Sequence, residues 1–120
     1  MPTRYFVSDV DRSLAFYELL GFSLVERWGP PFAIIQNGPV EVWLSGPGTS
    51  AMKPMADGRT PEPGGWNRIV VAVDDFQAVY EALQSAGTVF RNEPLSGPGG
   101  TQVLAEDPDG NPIEIFQPRD

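Results

Sequence analysis

An internal repeat constrains the fold of this chain more than any other feature of the sequence. The segment 7–9 (VSD) aligns with 73–75 (VDD) at an offset of 66 residues, and the segment 38–43 (GPVEVW) aligns with 111–116 (NPIEIF) at an offset of 73. The two matches lie at equivalent ends of each half. We therefore infer two copies of one module, of which the second is longer between its helix and its last strand.

Each copy is predicted to fold as β-α-β-β-β. A helix begins after Asp9 or Asp11 in the first copy and after Asp75 in the second, because Asp is a favoured N-cap residue. Gly21 and Gly87 stand where a left-handed C-terminal cap belongs. After a first strand in each copy (4–7 in the first, the residues leading to Val73 in the second), the predicted strands are 22–28, 32–36 and 40–44, then 88–91, 102–106 and 113–117.

A segment rich in glycine and proline separates the two copies. Residues 46–65 hold five Gly and four Pro, a composition typical of a loop. We predict one α+β domain over 1–120, with modules at 1–45 and 66–120 and a linker or flap between them. Because the segment carries Arg59 and leads into Trp66, an ordered flap over a pocket is favoured over a simple tether.

Composition excludes several classes of function. The chain has no His and no Cys, so imidazole bases, thiolate nucleophiles and zinc ribbons are excluded. Sixteen acidic residues against eight basic ones give a net charge of −8, which argues against nucleic acid as a partner. The apolar runs are too short to span a membrane, and the start has no apolar signal segment. We expect a soluble cytoplasmic protein.

Three segments resemble the vicinal oxygen chelate superfamily, which includes glyoxalase I, extradiol dioxygenases and bleomycin-resistance proteins. They are 7–17 (VSDVDRSLAFY), 20–22 (LGF) and 106–114 (EDPDGNPIE). The resemblance covers nearly the whole chain and implies the glyoxalase/bleomycin-resistance fold, in which two modules form a U-shaped half-barrel. It also implies a homodimer, since members commonly pair modules across subunits.

The resemblance also implies where metal ligands would stand. In metal-dependent members they come from the first and last strands of each module. The last-strand positions fall on Glu41 and Glu114. The first-strand positions fall on Pro2 and Arg68, or, with a shift of one residue, on Thr3 and Asn67. Proline has no side-chain donor and arginine stays cationic. We predict no bound metal and no other cofactor, with Arg68 as the counter-charge of both carboxylates.

Strand alternation predicts that the two carboxylates line a ligand pocket. Glu41 and Trp43 share one face of their strand, as Glu114 and Phe116 do. A carboxylate beside a large aromatic ring is typical of a pocket wall, and the alternative is solvent exposure on edge strands. The predicted catalytic residues are Glu41, Arg68 and Glu114, and the predicted ligand-binding residues are Trp28, Phe32, Trp43, Arg59, Trp66, Asn67, Asn92, Gln102 and Phe116. Phe6, Phe16 and Phe22 are expected in the core.

Three functions remain open at this point, and with them the question whether the chain is an enzyme. The first is metal-independent binding of a small aromatic or cationic compound, such as an antibiotic, between walls formed by Trp28, Trp43 and Trp66. The second is proton abstraction by Glu41 or Glu114, in lyase or isomerase chemistry. The third is a lyase, isomerase or dioxygenase-like enzyme that uses an oxygen-liganded divalent metal.

Overall fold

The computed structural model describes residues 1–119 and contains the two predicted modules. The elements are β1 (Thr3–Phe6), α1 (Val10–Leu19), β2 (Ser23–Arg27), β3 (Phe32–Asn37), β4 (Val40–Ser45), β5 (Ile69–Ala72), α2 (Phe76–Ser85), β6 (Leu95–Gly97), β7 (Gly100–Glu106) and β8 (Pro112–Pro118), with a 3₁₀ turn at Ser50–Met52. Each module has one four-stranded sheet, in the order β1-β4-β3-β2 or β5-β8-β7-β6. The pairs β1–β4 and β5–β8 are parallel and the other neighbours are antiparallel. The α+β fold is confirmed.

Both helices begin and end as their sequences predict. Of the two candidate N-caps of α1, Asp9 is the one used: its carboxylate accepts the Arg12 N–H at 3.3 Å. Asp75 caps α2 in the same way. Gly21 and Gly87 have φ angles of 91° and 80°, the left-handed conformation that favours glycine after a helix.

One predicted strand, 88–91, is wrong. The chain makes only an isolated bridge there, between Phe90 and Ala105. The side-chain oxygen of Asn92 accepts a hydrogen bond from the Leu104 N–H at 2.9 Å. If the strand continued, a backbone carbonyl would accept that bond instead. At this edge of the sheet β7 pairs instead with β6, which lies closer to it along the chain.

The two faces of each sheet differ in burial. One face packs against the helices in a single hydrophobic cluster that spans both modules and includes Val42, Leu44, Ile113 and Ile115. We call the opposite side of each sheet its open face. Phe16 and Phe22 are buried in the cluster as expected. The core prediction for Phe6 is wrong: its side chain is only half-buried and lies outside the cluster, because alternation with Tyr5 turns it to the open face.

Hydrogen bonds fix the modules to each other on the side of the helices. The Tyr5 hydroxyl donates to the Pro112 carbonyl at 2.8 Å and accepts the Ile69 N–H at 2.9 Å. The Tyr17 hydroxyl donates to Asp107 at 2.8 Å. Burial raises the pKa of Tyr5 to about 12 and that of Tyr17 well above 10. The modules of one chain are therefore joined by a dry interface.

Within residues 1–119, no helix is long and apolar enough to cross a membrane.

Candidate functional site

Three aromatic rings form one cluster on the open face of the first sheet. The ring centroids of Trp28 and Phe32 are 5.4 Å apart, and those of Phe32 and Trp43 are 5.9 Å apart. The Trp28 N–H donates to the Phe32 carbonyl at 3.0 Å, which sets Trp28 beside the start of β3. The side chain of Trp28 is 65% exposed. We call these three residues the aromatic platform.

Polar groups surround Trp43 on the same face. Its Nε1–H donates to Glu41 Oε2 at 2.7 Å, so Glu41 does lie on the open face. Arg4 is the neighbour of Trp43 across the parallel β1–β4 pair, and its guanidinium lies 5.1 Å from the ring centroid. The Nη1 of Arg4 donates to the Ser45 hydroxyl at 2.9 Å. The platform therefore carries one carboxylate and one guanidinium.

The open face of the second sheet carries an ion pair. Arg68 Nε and Nη2 donate to the same oxygen of Glu114, Oε1, at 3.2 and 3.0 Å. The side chain of Glu114 is only 14% exposed, which makes this pair stronger than a solvent-exposed one. This part of the predicted polar centre is present within one chain.

Glu41 is not part of that ion pair. Across residues 1–119, Arg68 forms an ion pair with Glu114 but none with Glu41. Five cavities of the described residues have volumes of about 250–460 Å³, and neither Glu41 nor Glu114 lines any of these five. A single chain thus separates the two halves of the predicted centre, because the modules are joined through their helix sides.

The donor groups do not fit a four-ligand metal centre of the kind that the sequence resemblance implies. In the β5–β8 pairing the neighbour of Glu114 is Val70, and the β1–β4 register extended by one residue puts Pro2 beside Glu41. Neither neighbour carries a metal-binding atom. The portion of the chain that the structure describes has no group of three or more acidic residues placed to hold a metal ion.

Trp66, the third predicted wall, lies apart from the platform. Its ring is 71% exposed, and the guanidinium of Arg91 lies 4.5 Å from the ring centroid. Arg91 is itself held by Glu106 at 2.8 Å and by the Gly65 carbonyl at 2.7 Å. Arg91 is not among the predicted site residues, because a stacking partner 25 residues away leaves no local pattern in the sequence.

The remaining predicted ligand-binding residues have different surroundings. Gln102 and Phe116 are paired neighbours on the open face of the second sheet and line a cavity of about 250 Å³. The side-chain oxygen of Asn92 is used by the backbone, as described above. Arg59 is exposed and pairs with Asp57 inside the linker. The ligand contacts expected of Asn92 and Arg59 stay predictions.

Asn67 lines a cavity between the modules. This inter-module cavity has a volume of about 370 Å³ and is lined by Thr3, Arg4, Glu62, Asn67, Arg68 and others from β1 and β5. Arg4 therefore contacts both the aromatic platform and the inter-module cavity. Arg4 is not among the predicted site residues either, although strand alternation with the buried Tyr5 places its side chain on the open face.

Comparisons with known proteins identify the family of this chain. A family model described as the Glyoxalase/Bleomycin resistance protein/Dioxygenase superfamily matches residues 2–115. A probable lactoylglutathione lyase from Vibrio cholerae serotype O1 is 27% identical, over 92% of this chain and 84% of that protein. A member of the same superfamily from Sphaerobacter thermophilus is 28% identical with a TM-score of 0.73, over 97% of this chain and 94% of that one.

A further solved structure is that of TnmS3, described as an antibiotic binding protein from a Streptomyces species. It is 26% identical with a TM-score of 0.72, over 98% of this chain and 93% of that one. The matched relatives thus include a binding protein and a probable enzyme on one fold. Together with the two β-α-β-β-β modules, the match over nearly the whole sequence shows that this chain belongs to the glyoxalase/bleomycin resistance protein/dioxygenase superfamily.

Proposed function

We propose that this protein binds a small molecule, such as an antibiotic, without a metal, and that an aromatic ring of the ligand lies on the aromatic platform. The observation that carries the proposal is the exposed Trp28 ring beside Phe32 and Trp43, on the face that the core leaves uncovered. Covering exposed apolar surface with a ligand stabilises the complex by roughly 25 cal/mol per Å² of surface removed from water. The likeness to an antibiotic binding protein supports the same reading.

The bound form is a homodimer in this proposal, and each pocket combines two subunits. Both open faces carry exposed apolar side chains, including Trp28 in the first module and Val70 and Leu95 in the second. A second copy that covers them would bring the first sheet of one subunit over the second sheet of the other. Glu41 would then face Glu114 of the partner subunit across the ligand.

Light scattering together with mixed variants tests the dimer. We expect twice the chain mass of 13.1 kDa. Trp43→Ala and Phe116→Ala proteins should each fail to bind, and the two co-refolded should recover about a quarter of the sites, because random pairing makes half of the dimers mixed and a mixed dimer keeps one intact pocket of two. A monomer that binds ligand with full stoichiometry would overturn the composite pocket.

The ligand site itself is tested with variants of the platform. Trp28→Ala is the best probe, because the side chain is mostly exposed and its loss should leave the fold intact. Leu19→Ala on α1 is the matched control, since Leu19 is an exposed apolar residue outside the open faces. In a thermal-shift screen of aromatic compounds, every hit should be lost in Trp28→Ala or Trp43→Ala and kept in Leu19→Ala. Hits that survive both tryptophan variants would refute the proposal.

Enzymatic turnover is the alternative, favoured by the likeness to a probable lactoylglutathione lyase. Glu114 would then be the carboxylate base, and Arg68 would be its positively charged neighbour. Product analysis of each hit separates the two functions, since a binding protein returns the compound unchanged. Turnover that Glu114→Gln abolishes without loss of binding would replace the proposal by the enzyme. The cytoplasmic location expected from the sequence stays a prediction.

A further inference from the structure

Arg4 has no acidic partner among residues 1–119, although the protein is strongly acidic. The ion pairs among residues 1–119 engage Arg12, Arg27, Arg59, Arg68 and Arg91. Arg4 has no carboxylate within 4 Å among those residues, although the chain carries sixteen acidic residues. A guanidinium that has no carboxylate partner and lies beside a half-buried ring is a candidate binding group for an anionic ligand.

The position of Arg4 is fixed by groups that leave most of its donors free. Its Nη1 donates to the hydroxyl of Ser45, a residue with 0% exposure, and its guanidinium lies against the Trp43 ring. Within the described residues its Nε and Nη2 have no hydrogen-bond acceptor. A guanidinium held in one place with free N–H groups is prepared to bind a planar anionic group by two hydrogen bonds.

The free donors of Arg4 adjoin the inter-module cavity. Two of the eight basic residues of the chain, Arg4 and Arg68, line this one cavity, together with the neutral side chains of Thr3 and Asn67. Arg68 is paired with Glu114, whereas Arg4 forms no ion pair within residues 1–119, not even with Glu62, the carboxylate that lines the same cavity. A cationic ligand group over Trp43 would be repelled by Arg4, which already occupies that position.

We infer that the ligand is an aromatic anion: its ring lies on the aromatic platform and its carboxylate or phosphate binds Arg4 at the mouth of the inter-module cavity. This inference rests on the proposed function, since it needs the ring to lie on the platform. It selects an aromatic acid over the cationic compound that the composition of the chain allowed.

Four naphthyl compounds that differ in charge test the inference. They are 2-naphthoate, 2-naphthyl phosphate, the neutral 2-naphthamide and the cation 2-naphthylmethylammonium, each titrated by calorimetry against the intact protein. We expect at least one of the two anions to bind ten times or more tighter than the amide, and the cation to bind most weakly. The better of the two anions identifies a carboxylate or a phosphate as the preferred group.

Variants of Arg4 assign the preference to one residue. Arg4→Gln should remove the advantage of the anion over the amide, and Arg4→Lys should restore part of it. Arg12→Gln, which removes a guanidinium that pairs with Asp109, should keep the full preference. The melting temperature of each variant shows that the fold is intact.

The outcomes separate the inference from the function on which it rests. If the amide and the cation bind as tightly as the anions, or if Arg4→Gln keeps the preference, the inference is wrong and the platform stands. If none of the four compounds binds, the platform is wrong as well.

Discussion

The hydrogen bond between Tyr17 and Asp107 is expected to contribute strongly to stability, and Tyr17→Phe removes it alone. Tyr17 has 0% exposure and its hydroxyl donates to Asp107 Oδ2 at 2.8 Å. Phenylalanine keeps the ring contacts with Phe16 and Phe22. A buried hydrogen bond to a charged group is worth about 2 kcal/mol, which lowers the melting temperature of a chain this long by about 8 °C.

The loss in Tyr17→Phe should depend on pH. Burial raises the pKa of Asp107 above 3.8, and the hydrogen bonds from Asn111 and Tyr17 lower it. Without Tyr17 the folded-state pKa rises further while the unfolded pKa is unchanged. The variant therefore loses most stability at pH values above both folded-state pKa values, where Asp107 is ionised, and the difference from wild type shrinks as the pH falls through them.

Urea unfolding at a series of pH values from 7 downward, at equal protein concentration, measures both effects. Tyr80→Phe is the matched control, because Tyr80 packs its ring between Phe76 and Phe90 and its hydroxyl has no hydrogen-bond partner in residues 1–119. We expect the control to change stability by less than about 0.5 kcal/mol. The reasoning is refuted if Tyr17→Phe costs no more than the control at pH 7, or if its cost falls nowhere in the acid range in which the protein stays folded.

Two further predictions concern backbone geometry and metal content. Gly100→Ala should destabilise the protein by about 2 kcal/mol or more, because φ is 146° and a Cβ would collide with the Gln117 carbonyl. Gly99→Ala is the control, since a Cβ there meets nothing within 4 Å. Equal melting temperatures of the two variants would contradict this prediction. Elemental analysis of purified protein should find no divalent metal in stoichiometric amount, since Glu41 and Glu114 lack ligating neighbours, and one Mn, Fe, Ni or Zn per chain would contradict this.

The sequence predicts the local structure well because local rules determine it. The repeat locates both modules, Asp9 and Asp75 cap their helices through contacts three residues away, and strand alternation places Glu41 and Trp43 on one face. Each of these predictions uses residues that are close in the chain.

Contacts between distant segments account for what the sequence does not predict. The side chain of Asn92 ends the strand predicted at 88–91 by a bond to Leu104, and no composition pattern marks that bond. The position of Arg4 over Trp43 depends on the parallel pairing of β1 with β4. The separation of Glu41 from Arg68 follows from the way in which Tyr5 joins the modules, which is a property of tertiary packing alone.

A crystal structure of the protein with 2-naphthoate tests the central claim most directly. The account predicts the naphthyl ring within about 4 Å of Trp28 or Trp43, and its carboxylate within hydrogen-bond distance of Arg4. The cavity of about 460 Å³ on the side of the helices, lined by Phe16, Leu19 and Val89 among others, is the alternative site. Naphthoate bound in that cavity, with the aromatic platform empty, would contradict the account.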